Sequence, residues 1–113
     1  MNFRHLFGQS SVTEVTPEEV RAKQKAGAVV VDVREPSEWT GGTIAGAILI
    51  PLGRLSAHVQ ELDASRAIIT VCRSGSRSRS AAQILQRAGF ANVESMAGGM
   101  IRWQQLQLPV KKK

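Results

Sequence analysis

Short runs rich in β-branched residues constrain the fold of this chain more than any other feature of its sequence. Three such runs, each followed by a stretch of mixed polarity, are AVVVDVR at 28–34, AILIPL at 47–52 and AIITV at 67–71. A strand with one face in water alternates apolar and polar side chains, whereas continuous apolar runs are typical of strands buried on both faces. The sequence therefore predicts an α/β domain with a mostly parallel central sheet, flanked by helices on both faces.

The stretches around these runs contain helix and turn signals. In TPEEVRAKQKAG, Thr16 is in position to cap a helix, Pro17 suits its first turn and Glu19 completes a capping box. Gly27 is expected to be the C-cap of this helix, and AILIPL is expected to be a buried strand that ends at Pro51. The same reasoning predicts helices in EPSEW, LGRLSAHVQELD, SRSAAQILQRAGF and GGMIRWQQLQ, and short strands in SVTEV and NVES.

Length and cysteine content indicate one small domain. A chain of 113 residues is large enough for a single core, and we expect one domain over 1–113, with its core at about 12–110 and a basic tail at 111–113. One cysteine excludes an intramolecular disulfide framework and a cysteine-rich metal site, which favours a cytoplasmic location. The N-terminal stretch MNFRHLFGQSSV is a poor match to a signal peptide and no apolar run is long enough to span a bilayer, so we expect no membrane partner. Nothing in the sequence argues against a monomer, which is the state we expect.

The net charge of +6 is unevenly distributed along the chain. Half of it belongs to the tail Lys111–Lys113, which we expect to be a frayed, solvated end. Between 64 and 93 the chain has five arginines and no Asp, Glu or Lys, and this window includes the cysteine. The placement of charge favours a small anionic ligand. The aromatic content of 4% disfavours base-stacking surfaces, so we expect no nucleic-acid partner.

The cysteine, Cys72, directly follows the apolar run AIITV and precedes a predicted helix. Parallel sheets bind ligands at the carboxyl ends of their strands, so this position suits a functional group. The loop RSGS contains Gly75 and can present N–H groups to an anion, and the helix N-terminus acts on the same point. Arg73 and Arg77 add charge, and all of these favour a thiolate. An inert core cysteine is disfavoured, because RSGSRSRS cannot be buried without stranding charge.

Four segments of the sequence resemble the rhodanese (thiosulfate sulfurtransferase) family, in that family's order. CRSGSRS is similar to the family's active-site loop, and VVVDVREPSEW to its early strand with an Asp-x-Arg-Glu motif, here Asp32, Arg34 and Glu35. GGTIAGAILIPL and AGGMIRWQQLQLPV resemble its Gly-His-Ile-x-Gly-Ala stretch and its closing Gly-Gly-x-x-x-Trp helix. The resemblance covers most of the chain, from about Val12 to Val110, and implies a rhodanese-like fold.

The resemblance also implies a transfer of sulfane sulfur in two steps. The catalytic Cys72 takes the outer sulfur of a small anionic donor such as thiosulfate or a persulfide, and a cysteine persulfide forms. An acceptor, which is cyanide, a thiol or a partner protein, then removes that sulfur. No metal or organic cofactor is required. The residues expected to bind the donor and the persulfide form the loop: Arg73, Ser74, Gly75, Ser76, Arg77 and Ser78.

Two residues depart from the family's pattern. Thr43 stands where the family usually has His, and Gln107 stands where Gly often precedes Leu-Pro. Neither is the nucleophile. A further question concerns Arg34, which either reaches the rim of the pocket or pairs with Asp32 or Glu35. We favour the pairing, in which Asp32 and Arg34 support the pocket without binding the donor.

Glycines and tryptophans near the motifs have structural interpretations. Gly98 and Gly99 are expected to form a tight turn close to the site. Trp39 and Trp103 are expected to be core or packing residues. The role expected for the two glycines is therefore structural with consequences for the site, and the role expected for the two tryptophans is packing.

Two other functions remain open. One is a cysteine-dependent phosphatase or arsenate reductase. Those phosphatases have five residues between Cys and Arg, whereas four separate Cys72 from Arg77, and no second cysteine exists to resolve a disulfide. The other is a non-catalytic rhodanese-type binding module or sulfur carrier that hands its persulfide to a partner protein. Carrier and enzyme need the same persulfide, so the sequence does not separate them.

Overall fold

Residues 11–112 of the chain are described by the computed structural model, so expectations about the first ten residues and Lys113 lie outside the described part. The strands are β1 (Thr13–Val15), β2 (Val29–Asp32), β3 (Ile48–Leu49), β4 (Ile68–Val71) and β5 (Val93–Met96). The helices are α1 (Pro17–Lys25), α2 (Pro36–Trp39), α3 (Leu55–His58), α4 (Ser76–Arg87) and α5 (Gly99–Gln105). Two 3-10 turns, Leu52–Arg54 and Val59–Glu61, flank α3.

The strands form one sheet in the order β1-β5-β4-β2-β3, and every neighbouring pair is parallel. This confirms the predicted α/β class. The central strand β4 is buried along its whole length. Its side chains alternate between two apolar layers, with Ile68 and Cys72 in one and Ile69 and Val71 in the other. The first layer is covered by α3 and α4, and the second by α1 and α5.

The signals for the start of α1 are confirmed, whereas its C-cap is Ala26 and not the expected Gly27. The backbone N–H of Glu19 donates to Thr16 Oγ1 over 3.1 Å, and the backbone N–H of Thr16 donates to Glu19 Oε1 over 2.8 Å. This reciprocal pair satisfies two N–H groups that a helix start otherwise leaves without partners. Gly27 lies one residue beyond the C-cap, Ala26, with φ +107°. A left-handed glycine at that position ends a helix at low cost.

Two predicted elements differ from the structure. The run AILIPL was expected to form a buried strand, but β3 has two residues, lies at the sheet edge and leaves Ile48 38% exposed. An edge strand has a single neighbour, so its side chains are less covered. The single helix expected in LGRLSAHVQELD is a series of short turns around α3. This segment nevertheless buries Leu55 and Leu62, because its apolar side chains still face the core.

The C-terminal tail is not frayed at its first residue, contrary to expectation. Lys111 forms an antiparallel bridge with Thr43, in which Thr43 N–H donates to Lys111 O over 2.9 Å and Lys111 N–H donates to Thr43 O over 2.7 Å. The backbone at Lys111 therefore finds partners that a solvated end lacks. Within the described range, no helix combines the length and the apolar character needed to cross a membrane.

Candidate active site

Cys72 lies immediately beyond the carboxyl end of β4, with 1% of its surface exposed. The loop that follows turns back over the sulfur, so that the Gly75 N–H donates to Cys72 Sγ over 3.0 Å. This turn requires the left-handed backbone of Gly75, whose φ is +114°. Helix α4 begins at the next residue, and its Ser78 Oγ lies 3.5 Å from Cys72 Sγ. The predicted loop therefore surrounds the sulfur with donors.

Burial and hydrogen bonding act on the thiol in opposite directions. Burial raises the pKa of the Cys72 thiol. The hydroxyl and backbone N–H of Ser78, with the backbone N–H groups of Gly75 and Ser74, outweigh burial, so the pKa of Cys72 lies below its ordinary value. The groups that lower this pKa are therefore hydroxyl and backbone N–H donors of the loop and of the start of α4. The arrangement favours a thiolate, which is the nucleophilic form of cysteine.

The start of α5 holds the Cys72 loop from the other side. Met100 N–H donates to Cys72 O over 2.8 Å, and Ile101 N–H donates to Arg73 O over 3.0 Å. Gly98 and Gly99 precede these donors with φ of +76° and +59°. A Cβ at Gly99 would lie 2.6 Å from Cys72 O and closer still to Arg73 O. The expected tight turn is therefore present, and it brings two backbones into contact.

The two arginines of the loop differ in their surroundings. Arg73 is exposed, whereas Arg77 pairs with Glu38 of α2, with Nη1 and Nη2 lying 2.7 and 2.9 Å from Oε1 and Oε2. The hydrogen bonds from Arg77 lower the pKa of Glu38 to about 2, against burial, and the pair raises the pKa of Arg77. Sequence reasoning missed Glu38. The sequence feature that indicates its role is the capping box Glu35-Pro-Ser-Glu38. In this box the backbone N–H of Glu35 donates to Glu38 Oε1 over 2.9 Å and orients the Glu38 carboxylate.

The Asp32–Arg34 pair lies behind α2. Both residues are buried, and Arg34 Nη2 lies 2.8 Å from Asp32 Oδ2. Arg34 also donates to the carbonyl oxygens of Glu38 over 3.1 Å and Gly42 over 2.9 Å. Of the two alternatives for Arg34, the geometry is that of pairing. It ties the end of β2 to the turn that carries Glu38.

Two buried hydroxyl residues next to the loop were not found from the sequence. Ser95 Oγ of β5 lies 2.7 Å from Ser78 Oγ, and Thr70 Oγ1 of β4 donates to Ser78 O over 2.7 Å. Thr70, Ser78 and Ser95 are each 0% exposed. The feature that could have revealed them is the presence of Thr70 within the strand IITV and of Ser95 within the strand VESM, because a purely apolar core does not need a hydroxyl at these positions.

The tryptophans occupy different environments. Trp103 is 2% exposed and its Nε1 donates to Pro109 O over 3.0 Å, as expected of a packing residue. Trp39 is half-buried and lines an open groove of about 690 Å³ at the carboxyl ends of β2 and β3. Of the two expectations for Trp39, core or packing, its half-buried position is that of a packing residue outside the fully buried core. Cys72 does not line this groove.

The remaining residues of interest have simple positions. Ser74 and Ser76 are exposed on the loop, and Thr43 is buried at the bridge to Lys111. Gln107 has φ +56°. Among residues 11–112, no group of three or more His, Cys, Asp or Glu side chains is placed to hold a metal ion.

Known proteins share both the sequence pattern and the fold. Residues 16–106 match the family model of the rhodanese-like domain. Thiosulfate sulfurtransferase GlpE of Pseudomonas entomophila (strain L48) is 35% identical over 95 residues, which cover 84% of this chain and 87% of that protein. A rhodanese-related protein from Thermoplasma volcanium superposes with a TM-score of 0.83 at 30% identity, over 89% of this chain and 99% of that one.

A further solved structure bears on the phosphatase alternative. It is a Rhodopseudomonas palustris protein of unknown function, described as a possible tyrosine phosphatase. It superposes with a TM-score of 0.78 at 25% identity, over 88% of this chain and 85% of that chain. A shared fold does not by itself identify the chemistry of a site.

Proposed function

Because this chain belongs to the rhodanese family, we propose that it transfers sulfane sulfur from thiosulfate or a persulfide donor to a thiol or cyanide acceptor, through a persulfide on Cys72. The observation that carries this proposal is the position of Cys72 Sγ, which accepts the Gly75 N–H over 3.0 Å at the carboxyl end of the central strand. Hydrogen bonds to the sulfur favour its thiolate form, and a thiolate needs no separate general base.

The first step is a displacement at sulfur. The Cys72 thiolate attacks the outer sulfur of thiosulfate, the bond between the two donor sulfurs breaks, and its electron pair leaves with sulfite. The product is a persulfide anion on Cys72. Sulfite leaves without protonation, so the step needs no acid. In the second step the acceptor attacks the outer sulfur, and the Cys72 thiolate is restored.

The loop's N–H groups would stabilise the negative charge that moves to the outer sulfur. Donors that already point at the sulfur cost no reorganisation during the reaction. Arg73 is exposed at the loop and would attract the anionic donor. Arg77 is engaged by Glu38, so its role would be to fix the start of α4 more than to bind the donor. The 1% exposure of Cys72 favours a narrow donor.

The phosphatase alternative is less well supported. In addition to the short spacing between Cys72 and Arg77, the Arg77 guanidinium meets a carboxylate at both of its terminal nitrogens. A phosphoryl group would have to displace Glu38 to be bound by that fork, and like charge would oppose it. The single cysteine is consistent with the cytoplasmic location that we propose for this sulfurtransferase or sulfur carrier.

Intact mass measurement tests the proposal. The reduced protein is incubated with thiosulfate, freed of excess donor and weighed beside a Cys72→Ala variant. We expect the mass of the native protein alone to rise by one sulfur atom and to fall again with cyanide, with release of thiocyanate. Hydrolysis of an aryl phosphate that depends on Cys72, without a mass gain, would replace this proposal with the phosphatase function.

A second measurement separates enzyme from carrier. The loaded protein is mixed with glutathione or with cyanide at increasing concentration, and the rate of sulfur loss is followed. A rate that saturates indicates a binding site for a small acceptor, as an enzyme requires. A rate that stays proportional to concentration and low indicates a carrier whose acceptor is another protein.

A further inference from the structure

A group of buried hydroxyls lies between β4, β5 and α4, directly behind Cys72. Thr70 and Ser95 are partners in the register of β4 and β5, and Ser78 covers them from α4. Burying a hydroxyl is unfavourable unless it is hydrogen-bonded, so each of these three fully buried hydroxyls needs a partner inside the protein. Thr70 donates to the Ser78 carbonyl. Within the described residues, Ser95 Oγ contacts one polar group, Ser78 Oγ.

Ser78 has one hydroxyl hydrogen and three neighbours that could receive it. Gly75 O lies at 3.0 Å, Ser95 Oγ at 2.7 Å and Cys72 Sγ at 3.5 Å. While Cys72 is a thiol, its S–H can donate to Ser78 Oγ, and the Ser78 hydrogen points elsewhere. Once Cys72 is a thiolate it can only accept, so its hydrogen bond with Ser78 is kept only when the Ser78 hydrogen turns toward sulfur.

The turn leaves no other group without a partner. Gly75 O, which loses the Ser78 hydrogen, still accepts the backbone N–H of Arg79 over 3.2 Å. Ser95 can then donate its own hydrogen to Ser78 Oγ and keep the 2.7 Å contact. Hydrogen bonds in such a chain polarise one another and become stronger. In the thiolate state, the Ser78 hydrogen can therefore point at sulfur while Ser95 donates to Ser78 Oγ and Thr70 donates to Ser78 O.

We propose that Ser95 is a positioning residue, whose hydroxyl donates to Ser78 Oγ and thereby directs the Ser78 hydrogen to the Cys72 sulfur. The inference rests on the proposed function, in that Cys72 works as a thiolate. It extends that function to β5, a strand that carries none of the loop motif. Ser95 acts only through Ser78, since it contacts no reacting atom.

The charged groups around the sulfur do not change in this scheme. Arg73 is in the loop, and Arg77 of α4 is paired with Glu38 of α2. Asp32 and Arg34, at the end of β2, are paired with each other. Substitution of Ser95 alters none of these charges. A change in Cys72 reactivity would therefore report the hydroxyl chain.

The test is the pH dependence of Cys72 alkylation by iodoacetamide, measured for four proteins: native, Ser78→Ala, Ser95→Ala and the double variant. We expect the apparent pKa of Cys72 to rise by about half a unit to one unit in Ser95→Ala and by more in Ser78→Ala. The double variant should match Ser78→Ala, because Ser95 has no route to sulfur once Ser78 is removed. Additive shifts in the double variant would overturn the proposal.

Two controls separate positioning from loosening of the core. Thr70→Val breaks the hydrogen bond to Ser78 O in the same layer, so we expect a lower urea midpoint with an unchanged apparent pKa. Ser95→Thr keeps the hydroxyl and should keep the native pKa, even if the added methyl lowers stability. A pKa raised equally by Thr70→Val, or raised in Ser95→Thr, would contradict the proposal. Alkylation needs no sulfur donor, so failure of sulfur loading would count against the proposed function alone.

Discussion

Glu38 and Arg77, 39 positions apart in the chain, meet in a two-point ion pair with nitrogen–oxygen distances of 2.7 and 2.9 Å. Arg77 is in the first turn of α4, next to the loop that surrounds Cys72, and Glu38 is the third residue of the short helix α2. The pair therefore links the ends of β2 and β4. Planar two-point contacts of this kind fix orientation as well as charge.

The ion pair predicts an acid-sensitive contribution to stability. Arg77 lowers the pKa of Glu38 from its ordinary value of 4.5 to about 2. Because the folded-state pKa is lowered, the contribution is complete above pH 4.5 and disappears as the pH falls to about 2. Glu38→Gln should therefore lower the free energy of unfolding by about 1 to 2 kcal/mol at pH 7, after allowance for solvent screening.

Urea unfolding between pH 2 and 7 measures this effect. The difference between the native protein and Glu38→Gln should shrink steadily below pH 4.5. Glu18→Gln is the matched control, because Glu18 is exposed on α1 and forms no ion pair within residues 11–112. A difference that is the same at every pH would mean that Glu38 acts through packing.

From the close packing at Gly99 we predict that no side chain larger than hydrogen is tolerated at this position. A methyl group there would collide with the backbone of Cys72 and Arg73, and φ +59° is a backbone conformation that alanine adopts at a cost of about 1 to 2 kcal/mol. Gly99→Ala should reduce sulfur transfer by about 100-fold, since the loop must move. Gly41→Ala, where the new methyl would meet nothing within 4 Å, should leave the rate unchanged. Equal rates for the two variants would refute the close-contact argument.

From the left-handed backbone of Gln107 we predict that glycine at this position stabilises the protein. It follows the C-cap of α5, with Gln107 N–H donating to Gln104 O over 2.9 Å and Leu108 N–H donating to Trp103 O over 3.2 Å. This is the arrangement that glycine favours, yet Gln107 holds φ +56°. Gln107→Gly should raise the free energy of unfolding by about 0.5 to 1 kcal/mol.

Gln104, which lies inside α5 three residues before Gln107, provides the contrasting substitution. Gln104→Gly places glycine inside α5, where it should lower the free energy of unfolding by about 1 kcal/mol. Urea denaturation of both variants at neutral pH is sufficient. Destabilisation by Gln107→Gly would show that contacts of the Gln107 side chain outweigh its backbone strain.

Sequence reasoning predicted the parts of the site that lie within one continuous segment. Cys72 with its loop, the helix that follows and the glycine pair at 98–99 are all where local patterns indicated. The Arg77 charge was predicted to face the donor, but it faces Glu38. Nothing local to CRSGSRS reveals that partner. The sequence did not reveal that β3 lies at the sheet edge, because an apolar run does not indicate whether its strand pairs with one neighbouring strand or with two.

The sequence by itself determined the parallel α/β class, the N-cap of α1 and the position of Cys72 between a strand and a helix, because each depends on residues within a few positions of one another. The tertiary structure decided what surrounds that cysteine. The order β1-β5-β4-β2-β3 places β5 beside β4, and this brings Ser95 to Ser78 across 17 positions. Such contacts follow from which strands pair and which helices cover them, and those choices are made by packing of the whole core.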